Sequence, residues 1–429
     1  MERVELRLEA MAHGGAALGR DESGRVVFVK GGLPGETVVA RVTESRERFA
    51  HAWLDALPAD PSAARIAAPR CPHFGDWPDR GRHPETACGG CQWQHMTYAA
   101  QLEAKRSVLV DALTRIARLD EPTVLDPIGM SQPWRYRNRV TMRVGPDATG
   151  ESRLGFTALD GATVVGIDEC HIALPLVADL MAALDSDLPE GCEVTLRAGA
   201  ATGDKMIVLD GLTDDLDEVE VGVDASVCLV DDAGGIHVAS GRPRLVERLA
   251  GRLFEVPPLS FFQVNSEMAE VLVRLVREAM PSDIGLLADV YSGVGVFAIC
   301  LADLAREVVA IESDPRAVAA AADNAEGIDN LTLLEADAAE GLAFLEASPD
   351  VVVLDPPRSG VDRTTMGLLA EMAPHTIAYA SCDPATLARD VRQLGASGWQ
   401  LVSCQPIDMF PQTYHVESVS LLRRRTSTG

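Results

Sequence analysis

From about residue 256 onward the chain keeps one rhythm: a short β-prone run, a polar or glycine turn, then a helical stretch. The runs are LLADVY (286–291), EVVAIE (307–312), LTLLEAD (331–337), VVVLDPP (351–357) and HTIAYAS (375–381). Pro315 and Pro384 open two of the helical stretches, as proline does at a first helical position. WQLVSCQ (399–405) and ESVSLLRR (417–424) follow as the last two strands. Strands separated by helices pair through crossovers, so the pattern predicts an α/β, doubly wound, mostly parallel sheet that ends in an antiparallel hairpin. Ligands of such sheets sit beyond the C-terminal strand ends, which is where chemistry is expected.

The remaining two thirds of the chain follow other rules. Residues 1–57 show short apolar alternations broken by Gly and Pro, which predicts a small β-barrel of the OB-like kind. Residues 58–96 are rich in Pro, Cys, His and Gly with little periodicity, so they need an external staple. Residues 97–119 form an amphipathic helix expected to pack on the α/β domain. Residues 122–255 read as a mostly antiparallel β region with a helix near 174–184. The expected domains are therefore 1–57, 58–255 and 256–429.

No apolar run reaches the ~18–20 residues that span a bilayer. MERVELRLEA lacks a signal-peptide core, so a soluble, monomeric, cytoplasmic protein with no membrane partner is expected. Nine cysteines, an odd number with irregular spacing, argue for thiol or metal chemistry over a disulfide framework. The net charge of −26 is uneven: residues 1–143 hold 20 Lys and Arg against 18 Asp and Glu, and residues 144–429 hold 18 against 46. A polyanion meets far less repulsion on the first third.

The strand ends define a candidate cofactor site. DVYSGVGVF supplies Gly293 and Gly295 for close backbone approach, and Tyr291 precedes them. Glu312 ends the next strand, about 20 residues on, where a ribose diol needs an acceptor. Asp337 ends the third, placed to accept from an adenine amino group. Each acid alone could simply cap the helix that follows it. A third glycine in register and a phosphate-binding lysine are both missing, so S-adenosylmethionine fits better than a dinucleotide or ATP.

The fourth strand ends in DPPR (355–358), a stiff loop carrying Asp355, and Cys382 ends the fifth on the same edge. A thiolate there has a specific use: added to uracil C6, it makes C5 nucleophilic enough to accept a methyl group. A base must then remove the C5 proton, and Glu417 opens the last strand on that edge. FFQVN (261–265), DVYSGVG (289–295), DPPRSG (355–360), SCDPAT (381–386) and DMFPQTYHVESV (408–419) together resemble the RNA uracil-5-methyltransferase family. The resemblance implies Cys382 as nucleophile and Glu417 as general base. It also implies Gln263, Tyr291, Glu312, Asp337 and Asp355 as lining of the cofactor and uracil pocket. Val296 stands where the family often has Asn, and Cys404, in a second SCxP tetrapeptide, reads as structural.

HGGAALGR with VVFVKGGLPGE resembles the TRAM domain, an RNA-binding barrel. CxxC by itself signals redox chemistry, zinc or nothing. RCPHF, ACGGCQWQH and DEC resemble the pattern of family members that carry an iron–sulfur cluster, which implies Cys71, Cys88, Cys91 and Cys170 as ligands of a 4Fe-4S cluster, with zinc as the rival. Sixteen residues separate Cys71 from Cys88, more than the family usually has, and 76–86 reads as a polar surface insertion. PWRYRNRVTMRV (133–144) places Arg135, Arg137, Arg139 and Arg143 on one face if it is a strand, beside two aromatics, as an RNA contact would. The reading is methylation of a flipped or unpaired uridine in structured RNA, with 23S rRNA preferred to tRNA. Its rivals are a methyltransferase for another base and a non-catalytic RNA-binding or iron–sulfur protein.

Overall fold

A computed structural model describes residues 2–75, 84–184, 188–212 and 222–425. Most of the 76–86 insertion therefore lies outside the described residues. Five strands, β1 (Arg3–Met11), β2 (Ala17–Arg20), β3 (Val26–Lys30), β4 (Thr37–Ser45) and β5 (Phe49–Leu54), close into a barrel in the order β1-β2-β3-β5-β4. Alternate residues of β4 point inward, so Val38, Ala40 and Val42 fill the barrel while their neighbours face out. Trp93 and Met96, from the segment beyond Cys91, plug the same core.

Helix α1 (Tyr98–Arg115) follows. The central sheet comprises β6 (Arg139–Pro146), β7 (Ser152–Thr157), β8 (Val164–Val165), β9 (Glu193–Ala198), β10 (Lys205–Asp210), β11 (Ser226–Val230) and β12 (Ile236–Ser240), with helix α2 (Pro175–Ala183) between β8 and β9. Its order is β12-β11-β10-β9-β6-β7-β8, and only β10 and β11 run parallel. The arginine stripe does not form as a strand face. β6 starts at Arg139, and Arg135 sits upstream at φ 58°, ion-paired with Glu169. Positive φ at Arg135 breaks the alternation that a shared face requires.

A hairpin of β13 (Leu245–Leu249) and β14 (Arg252–Val256) leads into α3 (Ser266–Glu278), capped by the Asn265 side chain. Then come β15 (Ile284–Val290), α4 (Val296–Leu301), β16 (Ala305–Glu312), α5 (Pro315–Asn324), β17 (Leu331–Glu335) and α6 (Ala338–Ala343). The chain ends with β18 (Val351–Leu354), α7 (Arg363–Met372), β19 (Thr376–Ser381), α8 (Pro384–Ala396), β20 (Trp399–Ile407) and β21 (Glu417–Arg424). The sheet order is β17-β16-β15-β18-β19-β21-β20, with β21 antiparallel to both neighbours. It is the doubly wound sheet with a terminal hairpin that the rhythm predicts. VVVL and TIAYAS are buried along their whole length because helices cover both faces.

One face packs α3, α4 and α5 with Phe254 and Val256 of the hairpin. The other packs α6, α7 and α8 with α1, whose Val108, Leu109 and Leu113 join the same core. So α1, which ends about 170 residues upstream of the sheet's first strand, is one of its covering helices, as the amphipathic pattern suggests. It is pinned there by Lys105, whose Nζ lies 2.6 Å from Asp408 Oδ1 and 2.9 Å from the Phe410 carbonyl. Both side chains are almost wholly buried. Among the described residues no helix is long and apolar enough to cross a membrane.

Removing one partner of a buried pair leaves an uncompensated charge, which typically costs about 3–5 kcal/mol. Lys105→Met is therefore expected to lower stability by about that amount in denaturant unfolding, with Lys105→Met/Asp408→Leu recovering much of the loss. Equal stability of Lys105→Met and the unsubstituted protein counts against the pin.

Candidate active site

The cofactor side is built where β15 meets its glycine turn. Tyr291, directly after the strand, has φ 66°, a conformation that a bulky residue holds only when its surroundings force it. The Gly293 N–H donates to Glu312 Oε2 at 2.9 Å. Glu312 Oε1 accepts from the N–H groups of Ser313 and Asp314 at 2.7 and 2.8 Å. The Ser313 hydroxyl is a third, longer donor to Oε1 at 3.4 Å, so the acceptor position left for a ligand is on Oε2. Asp337 caps α6, accepting from Glu340 N at 2.8 Å. Both acids thus do shape their own turns, and both also line, with Tyr291, a cavity of about 510 Å³ that includes Ser313, Asp362 and Thr364.

Three other sequence candidates stand outside that lining. Gly293 touches it only through its bond to Glu312. Asp355 belongs to the reacting end. Gln263 lies before the Asn265 cap, and its backbone carbonyl accepts from Asn138 Nδ2 at 3.0 Å. Asp289 received no role from the sequence. It lies fully buried under the glycine turn, with Oδ2 accepting from Ala298 N at 2.8 Å and Oδ1 without a protein partner. Burial first, then the nearby Asp355 and Glu312 carboxylates, push its pKa up to about 7.

At the reacting end the β19–β21 register does the assembly. Ser381 pairs with Ser418, so the next residues outward, Cys382 and Glu417, emerge side by side. Asp355 follows β18, the neighbour of β19. Burial, then the charges of Glu417 and Asp355, push the Cys382 thiol up to about 11, against the opposing pull of Arg358. Burial, then Asp355, holds Glu417 well above the usual carboxylate range, and Arg358 again opposes. Burial alone takes Asp355 to about 7. Arg358 is therefore the local cation that the sequence reading lacked, and its signal was the last letter of DPPR.

Supporting residues fix this geometry. The buried Asp390 of α8 accepts from Val361 N at 2.9 Å and from the Tyr379 hydroxyl at 2.8 Å, tying the DPPRSG loop to the helix that follows Cys382. Gly360 at φ 75° permits that approach, since a Cβ there would meet Asp390 Oδ2 at 2.6 Å. Asp383 caps α8 and lies 3.4 Å from His13 Nε2, so the barrel reaches the edge of the site. Cys404 is buried in β20 away from this group, as its structural reading requires.

Cys71, Cys88, Cys91 and Cys170 line one further cavity of about 440 Å³, with Arg137, Arg139, Thr413 and His415 among its walls. None of the four forms a disulfide. Burial, and secondarily their mutual charge, push Cys88 up to about 12 and Cys91 higher still. Among the described residues no three His, Cys, Asp or Glu side chains gather closely enough to hold a single metal ion.

A doubly wound sheet with a glycine turn after its first strand and an acid at the end of each of the next two strands is the fold of a class I, S-adenosylmethionine-dependent methyltransferase. Three family models match: tRNA (Uracil-5-)-methyltransferase over residues 339–425, TRAM domain over 2–54, and RNA cap guanine-N2 methyltransferase over 284–377. An uncharacterized RNA methyltransferase of Thermosynechococcus vestitus is 34% identical over 98% of this chain and 97% of its own length. One from Streptomyces coelicolor is 35% identical over 98% of this chain and 93% of its own length. The crystal structure of Pyrococcus abyssi tRNA (uracil-54, C5)-methyltransferase, in complex with S-adenosyl-L-homocysteine, superposes with TM-score 0.72 at 25% identity, covering 97% of this chain and 100% of that one. The chain belongs to the RNA uracil-5-methyltransferase family.

A carboxyl whose folded pKa is raised keeps its proton while the unfolded chain loses it, so stability falls as pH climbs from the unfolded value toward the folded one. For Asp289 that window runs from about 3.9 to about 7. Asp289→Asn is expected to match the unsubstituted protein in thermal unfolding near pH 4 and to exceed it by pH 8. A pH-independent difference rules the assignment out.

Proposed function

We propose that the protein methylates C5 of an unpaired or flipped uridine in structured RNA, with Cys382 as nucleophile and Glu417 as general base. The observation that carries this reading is the β19–β21 register, which sets a thiol and a buried carboxyl next to each other at the ligand-binding edge of the sheet. Cys382 Sγ adds to C6, the C5=C6 π electrons move toward O4, and C5 becomes nucleophilic. S-adenosylmethionine, when bound, supplies the methyl group at C5. Glu417 takes the C5 proton, and the electron pair left behind reforms C5=C6 as the S–C6 bond breaks.

The electrostatics support a gated nucleophile. In the free protein the acids keep the thiol protonated, and Arg358 opposes them. Asp289, Asp355 and Glu417 would hold their ionised forms more readily beside a cationic ligand, which would ease proton release from the thiol. The unpartnered Asp289 Oδ1 fits a cationic ligand end. Glu312 and Asp337 are assigned the ribose and adenine, with Tyr291 as cavity wall and Gly293 holding Glu312. Gln263 keeps its family-implied place in the lining of the cofactor and uracil pocket, and its burial supports that place.

The four cysteines suit a 4Fe-4S cluster. They line one cavity together, and the resemblance of their sequence pattern is what favours a cluster over zinc. The cluster would staple residues 58–96 to the Cys170 loop, and no catalytic step is assigned to it. Ribosomal RNA remains the preferred substrate class, on the resemblance carried by the barrel and the cysteines. The superposition of a tRNA enzyme over 97% of the chain makes tRNA the second reading. A monomer acting in the cytoplasm completes the proposal.

Incubation with S-adenosylmethionine and 5-fluorouridine-substituted rRNA or tRNA should trap a covalent adduct, because fluorine at C5 cannot leave as a proton. Mass spectrometry should place it on Cys382, and Cys382→Ala should abolish it. An undiminished adduct in Cys382→Ala sinks the nucleophile assignment, and the RNA that traps the protein decides between the substrate classes. Anaerobically purified protein should contain iron and sulfide with broad visible absorbance, lost in Cys88→Ser/Cys91→Ser. Stoichiometric zinc without iron overturns the cluster.

A further inference from the structure

The segment 408–416 joins β20 to Glu417 and has no regular structure of its own, yet it is held from five separate parts of the chain. Lys105 of α1 bonds Asp408 and the Phe410 carbonyl. Asn265 Nδ2 donates to the Met409 carbonyl at 3.1 Å, and the Tyr136 hydroxyl to the Pro411 carbonyl at 3.0 Å. The N–H groups of Gln92 and Trp93, just beyond Cys91, both donate to the Gln412 carbonyl, at 3.1 and 3.0 Å. From the barrel, Gly15 packs so tightly on Tyr414 that a Cβ would meet the ring at 2.8 Å.

Gln412 is the centre of this arrangement. Its φ is 70°, and it is 2% exposed. The Gln101 side chain, itself fully buried, bonds both the side chain and the backbone of Gln412. Gln101 Nε2 donates to Gln412 Oε1 at 3.0 Å, and Gln412 N donates to Gln101 Oε1 at 2.9 Å. Gln412 Nε2 reaches the Pro133 carbonyl at 3.3 Å. A non-glycine residue persists at positive φ only where its surroundings over-determine it, and here the bonds do so. Nothing in the reading of the reaction uses either glutamine.

We propose that the buried Gln101–Gln412 pair is a positioning device for the general base: it locks the 408–416 segment so that Glu417 enters β21 aimed at the carbon that loses its proton. Cys382 is anchored independently, by β19 and the Asp383 cap of α8. Loosening the pair therefore separates the two halves of the reaction. Thiol addition and methyl transfer proceed, while proton removal and release of the enzyme slow down. The inference rests on the proposed roles of Cys382 and Glu417, and it assigns Gln101 and Gln412 as positioning residues that touch neither substrate nor cofactor.

The test uses the full chain with Gln101→Leu and, separately, Gln412→Gly, which suits the positive φ and keeps the backbone bonds. Single-turnover reactions on uridine-containing RNA should show the methylated covalent adduct accumulating in both variants, with release of 5-methyluridine RNA slowed about 10²-fold, the scale of an ångström-level misplacement. Adduct formation on 5-fluorouridine RNA should keep the unsubstituted protein's rate. A merely structural role would slow both steps together, and that result, or unchanged release, overturns the proposal. If the unsubstituted protein forms no adduct on either RNA, the catalytic reading falls and takes this inference with it.

Discussion

A lysine ammonium and a carboxylate facing each other away from water are stable only as a pair, and Lys105 with Asp408 is such a pair. Its geometry ties α1 to the segment that delivers Glu417. Because α1 follows directly on the cysteine-rich segment, the same contact brings Cys88, Cys91 and Trp93 under the catalytic edge of the sheet. Trp93 then fills the barrel core and donates from Nε1 to the Gly15 carbonyl at 2.9 Å. Barrel, cysteine loop and catalytic sheet thus meet around one buried charge pair, and the pair allows little play because breaking it exposes neither ion to water.

The catalytic edge is acidic and poorly solvated. Asp289, Asp355 and Glu417 all have raised proton affinities, chiefly from burial. Such a site is unfavourable in the free protein and becomes favourable when a cation enters it. The arrangement suits a sulfonium donor, and under the proposed mechanism a thiol near pKa 11 would serve as a nucleophile only once its neighbours are neutralised. Arg358 supplies the protein's own share of that neutralisation. Function here is assembled at some expense of stability, as active sites commonly are.

Much of this was legible in the chain. The β-α rhythm marked every strand of the catalytic sheet, because strands covered on both faces must be continuously apolar. The acids Glu312 and Asp337 stood at strand ends, where any ligand must lie, and they share one cavity. Other features showed locally only that they were there, not what they touch. Arg358 stood as the last letter of DPPR, Asp390 as a polar residue in an ordinary helix, and Gln412 as one letter of DMFPQTYHVESV. Their roles come from partners 11 to 311 residues away. The arginine stripe at 135–143 failed because alternation assumes a strand, and the backbone at Arg135 turns the other way.

The sequence by itself determined the architecture class and placed Glu312, Asp337, Cys382 and Glu417 at strand ends along one edge of the sheet, because these depend on periodicity and on residue types at strand ends. Tertiary structure decided which distant residues hold those groups. The antiparallel register that sets Cys382 beside Glu417, the burial that raises both proton affinities and the glutamine pair under the catalytic loop are all non-local. Register and burial are properties of packed surfaces, and a surface exists only after the chain has folded onto itself.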